Sequence, residues 1–411
     1  NRLDVVKLAT DLKNNTLIIL HDTQMSISKT IGAVSRHLSR FISSKIYNNT
    51  KRDIEEMLEH IPMVGNSFGV FFKSMRKIVK KNLFPNLFED LGVNYIGPVN
   101  GYNIGEMIKI FKNINELEGP VLIHVLTQKG KGFCKAEEDP TYYHGISGKN
   151  KSGGESFTSV FGKKMVELAE KNPELCVITA AMTDGTGLHE YARKYPDRYY
   201  DVGIAEEHAV AFASGLCLGG KKPVIAIYST FMQRALDQMF HEISLQKTLA
   251  PVFVLDRSGL VGEDGPTHHG VFDIAYTRFL PGFILMSPKD ARELESMLEW
   301  SLKQKKPVVI RFPKGGFETY DSSPCIELGK SEVLLEEKDA ELTFFTYGSL
   351  AGEVLKIKKL SSLKFNVVNL RFAKPLDEAA ILSFASKTRK IVTLEEHSLI
   401  GGVGEAISSL L

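Results

Sequence analysis

The chain has 411 residues, 43% of them hydrophobic. At roughly 150 residues per domain that is enough for two or three domains with cores of their own, which excludes a disordered or fibrous protein. Its 51 Lys and Arg against 49 Asp and Glu leave a net charge of +2, so no basic excess is available to bind a nucleic-acid backbone.

No apolar run approaches the roughly 20 residues that cross a bilayer, and no signal peptide is recognised. We expect a soluble, cytoplasmic protein with no membrane or nucleic-acid partner. The four cysteines, at 134, 176, 217 and 325, are too few and scattered for a disulfide framework and read as reduced core residues.

Residues 3–13 have helical spacing and lead into TLIIL at 16–20, an apolar run that suits a buried parallel strand with polar HDTQ at its end. From 35 to 91 the pattern is mostly helical and includes the basic run KSMRKIVKK at 73–81, a solvated helix face. A second buried strand, PVLIHVLT at 120–127, precedes KGKGF. A glycine-rich polar stretch at 145–155 then marks a domain boundary.

From 156 to 318 helices alternate with CVITAAM, DVGIA, PVIAIYS, PVFVLDRSG, FILMSP and PVVIRFP, the sequence form of a doubly wound parallel sheet. Ligands of such sheets lie beyond the carboxyl ends of the strands, so the chemistry is expected there. After a linker around 318–340, ELTFFTYGS, FNVVNLRF and KIVTLEE indicate a third α/β unit. The expected fold is therefore α/β throughout, with units at 1–150, 156–318 and 335–411. The first and last are expected to be truncated, because the chain opens inside a helical pattern without Met and stops just after a helix begins.

Three strand tips carry unusual side chains. AEEHAVAFASG places Glu206, Glu207 and His208 at a helix start, where carboxylates serve either as caps or as functional groups. YSTFMQRALDQ brings Tyr228, Phe231 and Arg234 within seven residues, a combination that could hold a planar ring or pack in the core. DRSGLVGEDGPTHHGVFD concentrates charge, two His and four Gly where only a turn is needed. Adjacent His268 and His269 are poor partners for one metal ion, so a polar substrate pocket is the better reading, with Arg257 for an anion and Asp264 and His268 for hydroxyls. Arg311 at the end of VVIRFP suggests an anionic ligand or a buried pair.

Residues 91–411 resemble 1-deoxy-D-xylulose-5-phosphate synthases of the transketolase-type thiamine diphosphate family. The strings that carry this are NYIGP, TQKGKGF, AEEDPTYYHG, ITAAMTDGTGL, PDRYYDVGIAEEHAV, AIYSTFMQRALDQ, LDRSGLVGEDGPTHHGVFD and VIRFPKG, in that order. The resemblance implies condensation of pyruvate with glyceraldehyde 3-phosphate, with loss of carbon dioxide, in isoprenoid precursor synthesis. It also implies a homodimer, with cofactor between the first two domains.

By that resemblance Glu206 bonds a pyrimidine nitrogen of the cofactor, and Tyr228, Phe231 and Arg234 hold the pyrimidine. Arg257 and Arg311 take the acceptor phosphate, Asp264 and His268 contact substrate, and Lys129 and His144 serve the diphosphate and the site lining. Magnesium is implied too, with Met25 giving a backbone oxygen. The family's NDNEMSIS reads HDTQMSIS here, so Thr23 stands at the ligand position usually held by Asn, and DGHD appears as Asn100, Gly101, Tyr102 and Asn103. A Gly-Asp-Gly tip, the other magnesium ligand, would precede Asn1.

This chain alone is therefore expected to hold magnesium thiamine diphosphate weakly. The alternative is a non-catalytic paralogue or a split subunit whose partner supplies the diphosphate half. A 2-oxo-acid dehydrogenase β-subunit would share the Glu-bearing domain but leaves the first 150 residues unexplained.

Overall fold

The computed structural model describes residues 10, 15–23, 25, 88, 91–114, 117–140, 142–144, 155–318 and 325–411. The helices expected over 3–13 and 35–91, the basic run at 73–81 and most of the glycine-rich boundary lie outside the described residues. Two units are distinguished, 1–146 and 147–411. Among the described residues no helix is long and apolar enough to cross a membrane.

The first unit has a parallel three-stranded sheet in the order β1-β3-β2, formed by Leu17–Asp22 (β1), Asn94–Asn100 (β2) and Val121–Leu126 (β3). Central β3 is buried, as its apolar run dictates. β1 instead alternates, with Leu17 and Ile19 exposed, because it has a described neighbour on one side only. A buried chain of hydrogen bonds crosses all three strands: His124 Nε2 meets Asp22 at 3.1 Å and its Nδ1 meets the Tyr95 hydroxyl at 2.8 Å. Helix α1 (Ile104–Asn113) follows β2 and is capped by Asn103, whose side chain accepts from the Glu106 N–H at 3.1 Å. Sequence periodicity missed both β2 and α1, since NYIGPVN contains a Gly-Pro pair that reads as a turn.

The second unit is built on a seven-stranded sheet in the order β13-β8-β9-β7-β6-β4-β5. Its strands are Leu175–Thr179 (β4), Tyr199–Asp201 (β5), Lys222–Tyr228 (β6), Val252–Asp256 (β7), Ile284–Met286 (β8), Val308–Arg311 (β9) and Phe372–Lys374 (β13). Of the six strands predicted over 156–318 five are present where expected, while the one read as DVGIA is displaced to Tyr199–Asp201, and β4 to β9 run parallel to one another. The edge strand β13 comes from the last segment and pairs antiparallel with β8.

Helix α2 (Phe157–Lys171) precedes β4, and α3 (Glu206–Leu218), α4 (Asp273–Phe279) and α5 (Ala291–Ser301) intervene between later strands. Ser156 and Ser159 form a capping box that starts α2. Phe157 and Phe161 then pack on Phe312, just after β9, and all three rings are fully buried. Each such side chain stabilises by about 1.5–3 kcal/mol, so this aromatic cluster fixes α2 against the middle of the sheet.

The last segment forms a four-stranded sheet in the order β10-β12-β11-β14 from Glu332–Leu335 (β10), Leu342–Thr346 (β11), Phe365–Asn369 (β12) and Lys390–Leu394 (β14), antiparallel only at β10. β10 lies in a stretch read from sequence as linker. Lys289 and Arg371 face Glu293 and Glu332 in a buried network that ties this segment to the seven-stranded sheet. The cysteines are unpaired, but only Cys176 is fully buried. Cys134 and Cys325 are exposed, against the expectation of core thiols, because each lies outside the packed strand and helix faces.

Candidate functional site

The functional residues predicted for the middle segment gather at the carboxyl ends of the parallel strands, where the sheet leaves a row of polar tips. After β5, Asp201 accepts from the backbone N–H of Gly203 at 2.9 Å and of Ala181 at 2.8 Å, locking the tips of β4 and β5 together. The turn delivers Glu206 to the first turn of α3. There it is 1% exposed, while its neighbour Glu207 faces solvent. Free N–H groups and the macrodipole at a helix start make this a tolerable place for a buried carboxylate. Its nearest side-chain partner among the described residues is Arg234, at 3.3 Å and itself half exposed.

Tyr228 ends β6 and stacks on Phe231, with centroids 5.9 Å apart. Arg257 also lies over the Tyr228 ring at 3.7 Å, and His268 meets Phe231 edge-on at 5.2 Å. The three tips thus build one row of rings and cations, with a flat apolar wall beside the buried Glu206 carboxylate. Gly185 is needed for this, because a Cβ there would sit 1.5 Å from the Tyr228 hydroxyl oxygen. Burial pushes the Tyr228 phenol up to about 12, so it stays neutral in the working range.

Residues 259 and 270 exchange backbone hydrogen bonds at 2.8 Å, closing the base of the loop that carries Asp264 and His268. Arg257 Nε donates to Asp264 at 2.9 Å and its Nη1 to the Gly185 carbonyl at 2.9 Å. Lys314 also donates to Asp264, at 3.0 Å. Burial raises the affinity of Asp264 for a proton, but the hydrogen bonds and charges of Lys314 and Arg257 outweigh it and hold the carboxyl below its ordinary range. The residues predicted to take an anion and a hydroxyl are therefore joined to one another.

Arg311 is buried, with Nε donating to Asp273 at 2.8 Å and Nη2 to the Glu396 carbonyl at 3.1 Å. Of the two alternatives open in the sequence, this geometry is the buried pair.

In the first unit, Lys129 sits in the turn after β3, which Tyr102 pins by accepting from the Gln128 N–H at 2.7 Å and donating to the Gln128 carbonyl at 2.9 Å. Burial lowers the Lys129 amine below its ordinary value. His144 ends a short 3-10 turn, Tyr142–His144. The Thr23 hydroxyl donates to the Met25 carbonyl at 2.7 Å, so the two oxygens predicted to bind magnesium are bonded to each other. Among the described residues no three His, Cys, Asp or Glu side chains cluster as a metal site. A hard cation wants about six oxygens, and this pair of neutral ones does not fit it.

Sequence reasoning passed over Asp256, Asp273 and Lys314. Asp256 could have been found as a charge closing an otherwise apolar strand; the other two are paired only by the fold.

Residues 3–127 match the family described as 1-deoxy-D-xylulose-5-phosphate synthase, residues 155–318 the transketolase pyrimidine-binding domain and residues 329–411 the transketolase C-terminal domain. The chain is 42% identical to 1-deoxy-D-xylulose-5-phosphate synthase 1 of Geobacter sulfurreducens, over 99% of this chain and 66% of that protein. It is 43% identical to the synthase of Caldanaerobacter subterraneus, over 97% of this chain and 66% of that one.

The chain belongs to the 1-deoxy-D-xylulose-5-phosphate synthase family. It spans just under two thirds of the length of these synthases. Among solved structures it resembles a split-gene transketolase, an inactive β4 tetramer, with 29% identity and a TM-score of 0.56 over 63% of this chain and 85% of that one. It shares its fold with transketolase from Campylobacter jejuni, with 15% identity and a TM-score of 0.51 over 99% of this chain and 72% of that one. The mixed α/β architecture with mainly parallel sheets is thus that of transketolase-type, thiamine diphosphate-dependent synthases.

Proposed function

We propose that this synthase-family protein condenses pyruvate with D-glyceraldehyde 3-phosphate to 1-deoxy-D-xylulose 5-phosphate and carbon dioxide, with thiamine diphosphate as cofactor. The observation that carries it is the buried Glu206 carboxylate at the start of α3, set beside the Tyr228–Phe231 wall and Arg234 within the pyrimidine-binding match. These residues fit the cofactor's pyrimidine: a carboxylate for a ring nitrogen and flat apolar faces for the ring. Bound there, the cofactor supplies the electron sink for the carbon left when pyruvate loses carbon dioxide.

Glu206 holds the proton at the pyrimidine nitrogen, and low water access keeps that hydrogen bond strong. Arg257 presents a guanidinium fixed from two sides, suited to the acceptor phosphate, whereas Arg311 at the end of neighbouring β9 is engaged with Asp273 and supports the tip from beneath. Asp264 and His268, on one closed loop, are the groups for the acceptor hydroxyls. Lys129 and His144 are taken as groups for diphosphate charge and substrate. Magnesium remains the ion a diphosphate calls for, but Thr23 and Met25 by themselves do not assemble its ligands.

We take 1–150 as the diphosphate side, 156–318 as the pyrimidine side and 335–411 as the C-terminal domain, in a cytoplasmic homodimer. The family match over 3–127 supports this reading over the split-subunit alternative. Glu206→Gln, assayed for carbon dioxide release from carboxyl-labelled pyruvate, tests the proposal. Release is expected to fall by about 100-fold or more, and an unchanged rate would refute the role of this tip.

A further inference from the structure

The loop that carries Asp264 and His268 joins the sheet through a narrow neck, and the support of that neck comes from the last segment of the chain. Gly259 and Gly270 pair in the neck through two backbone hydrogen bonds of 2.8 Å, and one step further out the His269 ring accepts from the Val261 N–H at 2.9 Å. Neither glycine has room for a side chain. A Cβ at Gly270 would lie 2.6 Å from the Arg257 carbonyl oxygen, and one at Gly259, where φ is +81°, would lie 2.7 Å from the Glu396 Cβ and 2.8 Å from its Oε2. Glycine enters such a φ without penalty and leaves it as readily, so the neck depends on what packs against it.

Three consecutive residues after β14 grip this region. Glu396 lays its half-buried side chain against Gly259. The His397 ring accepts at Nε2 from the Ala275 N–H at 3.2 Å and donates from Nδ1 to the Ser398 carbonyl at 2.8 Å, a combination that only the neutral ring can make. Ser398 donates its N–H to the Val271 carbonyl at 3.0 Å, which ties the exit of the loop to the last segment. The gripping stretch is itself fixed. Arg311 donates to the Glu396 carbonyl at 3.1 Å, and Glu395 accepts from the N–H groups of Val403 at 2.6 Å and Gly404 at 2.8 Å.

We propose that the last segment braces the acceptor-binding loop, and that Glu396 is a positioning residue that holds Gly259, and with it Asp264 and His268, in place. This rests on the function proposed above. Burial pushes the Glu396 carboxyl above its ordinary value, a poor setting for a working charge, so the role belongs to the shape of the side chain. Gln keeps that shape, whereas Ala leaves Gly259 without its support.

In the protein from its full reading frame, Glu396→Ala is expected to raise the KM for glyceraldehyde 3-phosphate roughly tenfold, inside the roughly 100-fold that a misplacement of about 1 Å can cost. The KM for pyruvate should stay within about twofold, while Glu396→Gln should keep both near wild type. Should Glu396→Ala fail to fold, His397→Ala is the second variant, expected to raise the same KM alone, with His397→Gln, which keeps an acceptor for the Ala275 N–H, restoring it. An unchanged acceptor KM in the Ala variant that folds, an equal rise in both constants, or a Gln variant as damaged as Ala would each overturn the inference.

If the wild-type protein makes no deoxyxylulose phosphate, the functional reading fails and amide hydrogen exchange decides this one. The amides of Gly259, Val261 and Gly270 are hydrogen-bonded in the neck. Peptides spanning 257–271 should therefore exchange roughly tenfold faster in Glu396→Ala and at the wild-type rate in Glu396→Gln, with peptides from β6 and α3 unchanged. Equal exchange in all three proteins, or faster exchange throughout the second unit, would overturn it.

Discussion

Arg311 and Asp273 form a buried ion pair, the guanidinium Nε donating to the carboxylate at 2.8 Å. Asp273 is the first residue of α4 and Arg311 the last of β9, so the pair joins a helix start to a strand end beneath the candidate site. Removing one partner leaves the other buried without compensation. Arg311→Ala should therefore destabilise the second unit by about 3–5 kcal/mol, read as a lower urea midpoint with an unchanged m-value. Replacing both residues by apolar ones of similar size should cost much less. If Arg311→Ala proved neutral to stability and raised only the acceptor KM, the pair would be a resting arrangement and Arg311 a plain phosphate ligand.

Glu206→Ala should abolish most turnover, by about 100- to 10,000-fold, while circular dichroism and the thermal midpoint change little. Glu207→Ala, one residue on and exposed, is the control and should stay within about threefold.

Arg257→Ala removes a cation that is already oriented by Asp264 and the Gly185 carbonyl. The KM for the aldehyde phosphate should rise by about tenfold or more, with the pyruvate KM within about twofold. Lys314 shares Asp264 and is a weaker test, because its amine is a point charge on a flexible stem.

Burial raises the Asp256 carboxyl from 3.8 to about 6. A carboxyl that holds its proton more tightly when folded destabilises the fold above its folded value, and that penalty disappears as pH falls below the unfolded one. Arg257 and Lys314 face Asp256 and moderate the effect, while Tyr228 opposite stays neutral. Asp256→Asn should therefore stabilise at pH 7, by at most about 3 kcal/mol. The advantage over wild type should shrink between pH 6 and 4, as measured by paired urea titrations. A constant difference across that range would show that Asp256 does not titrate there.

The strands of the second unit were legible because their apolar runs are buried on both faces: every residue of β4, β7 and β9 is buried. Tyr228, Phe231 and Arg234 were legible as a group because one short turn brings them together. Partners distant in sequence were not. Nothing in the spacing joins Arg311 to Asp273, 38 residues away, or Thr158 to Asp256, 98 away. Likewise β13, three residues long, carries too little pattern to show that it leaves its own segment and extends the neighbouring sheet.

The central claim is the reaction, and product identification tests it most directly. The protein from its full reading frame, supplied with thiamine diphosphate, magnesium, carbon-13 pyruvate and glyceraldehyde 3-phosphate, should release one carbon dioxide per labelled 1-deoxyxylulose 5-phosphate seen by NMR. Glu206→Gln should give neither. Ketol transfer from a ketose phosphate without loss of carbon dioxide, or product formation undiminished in Glu206→Gln, would contradict it.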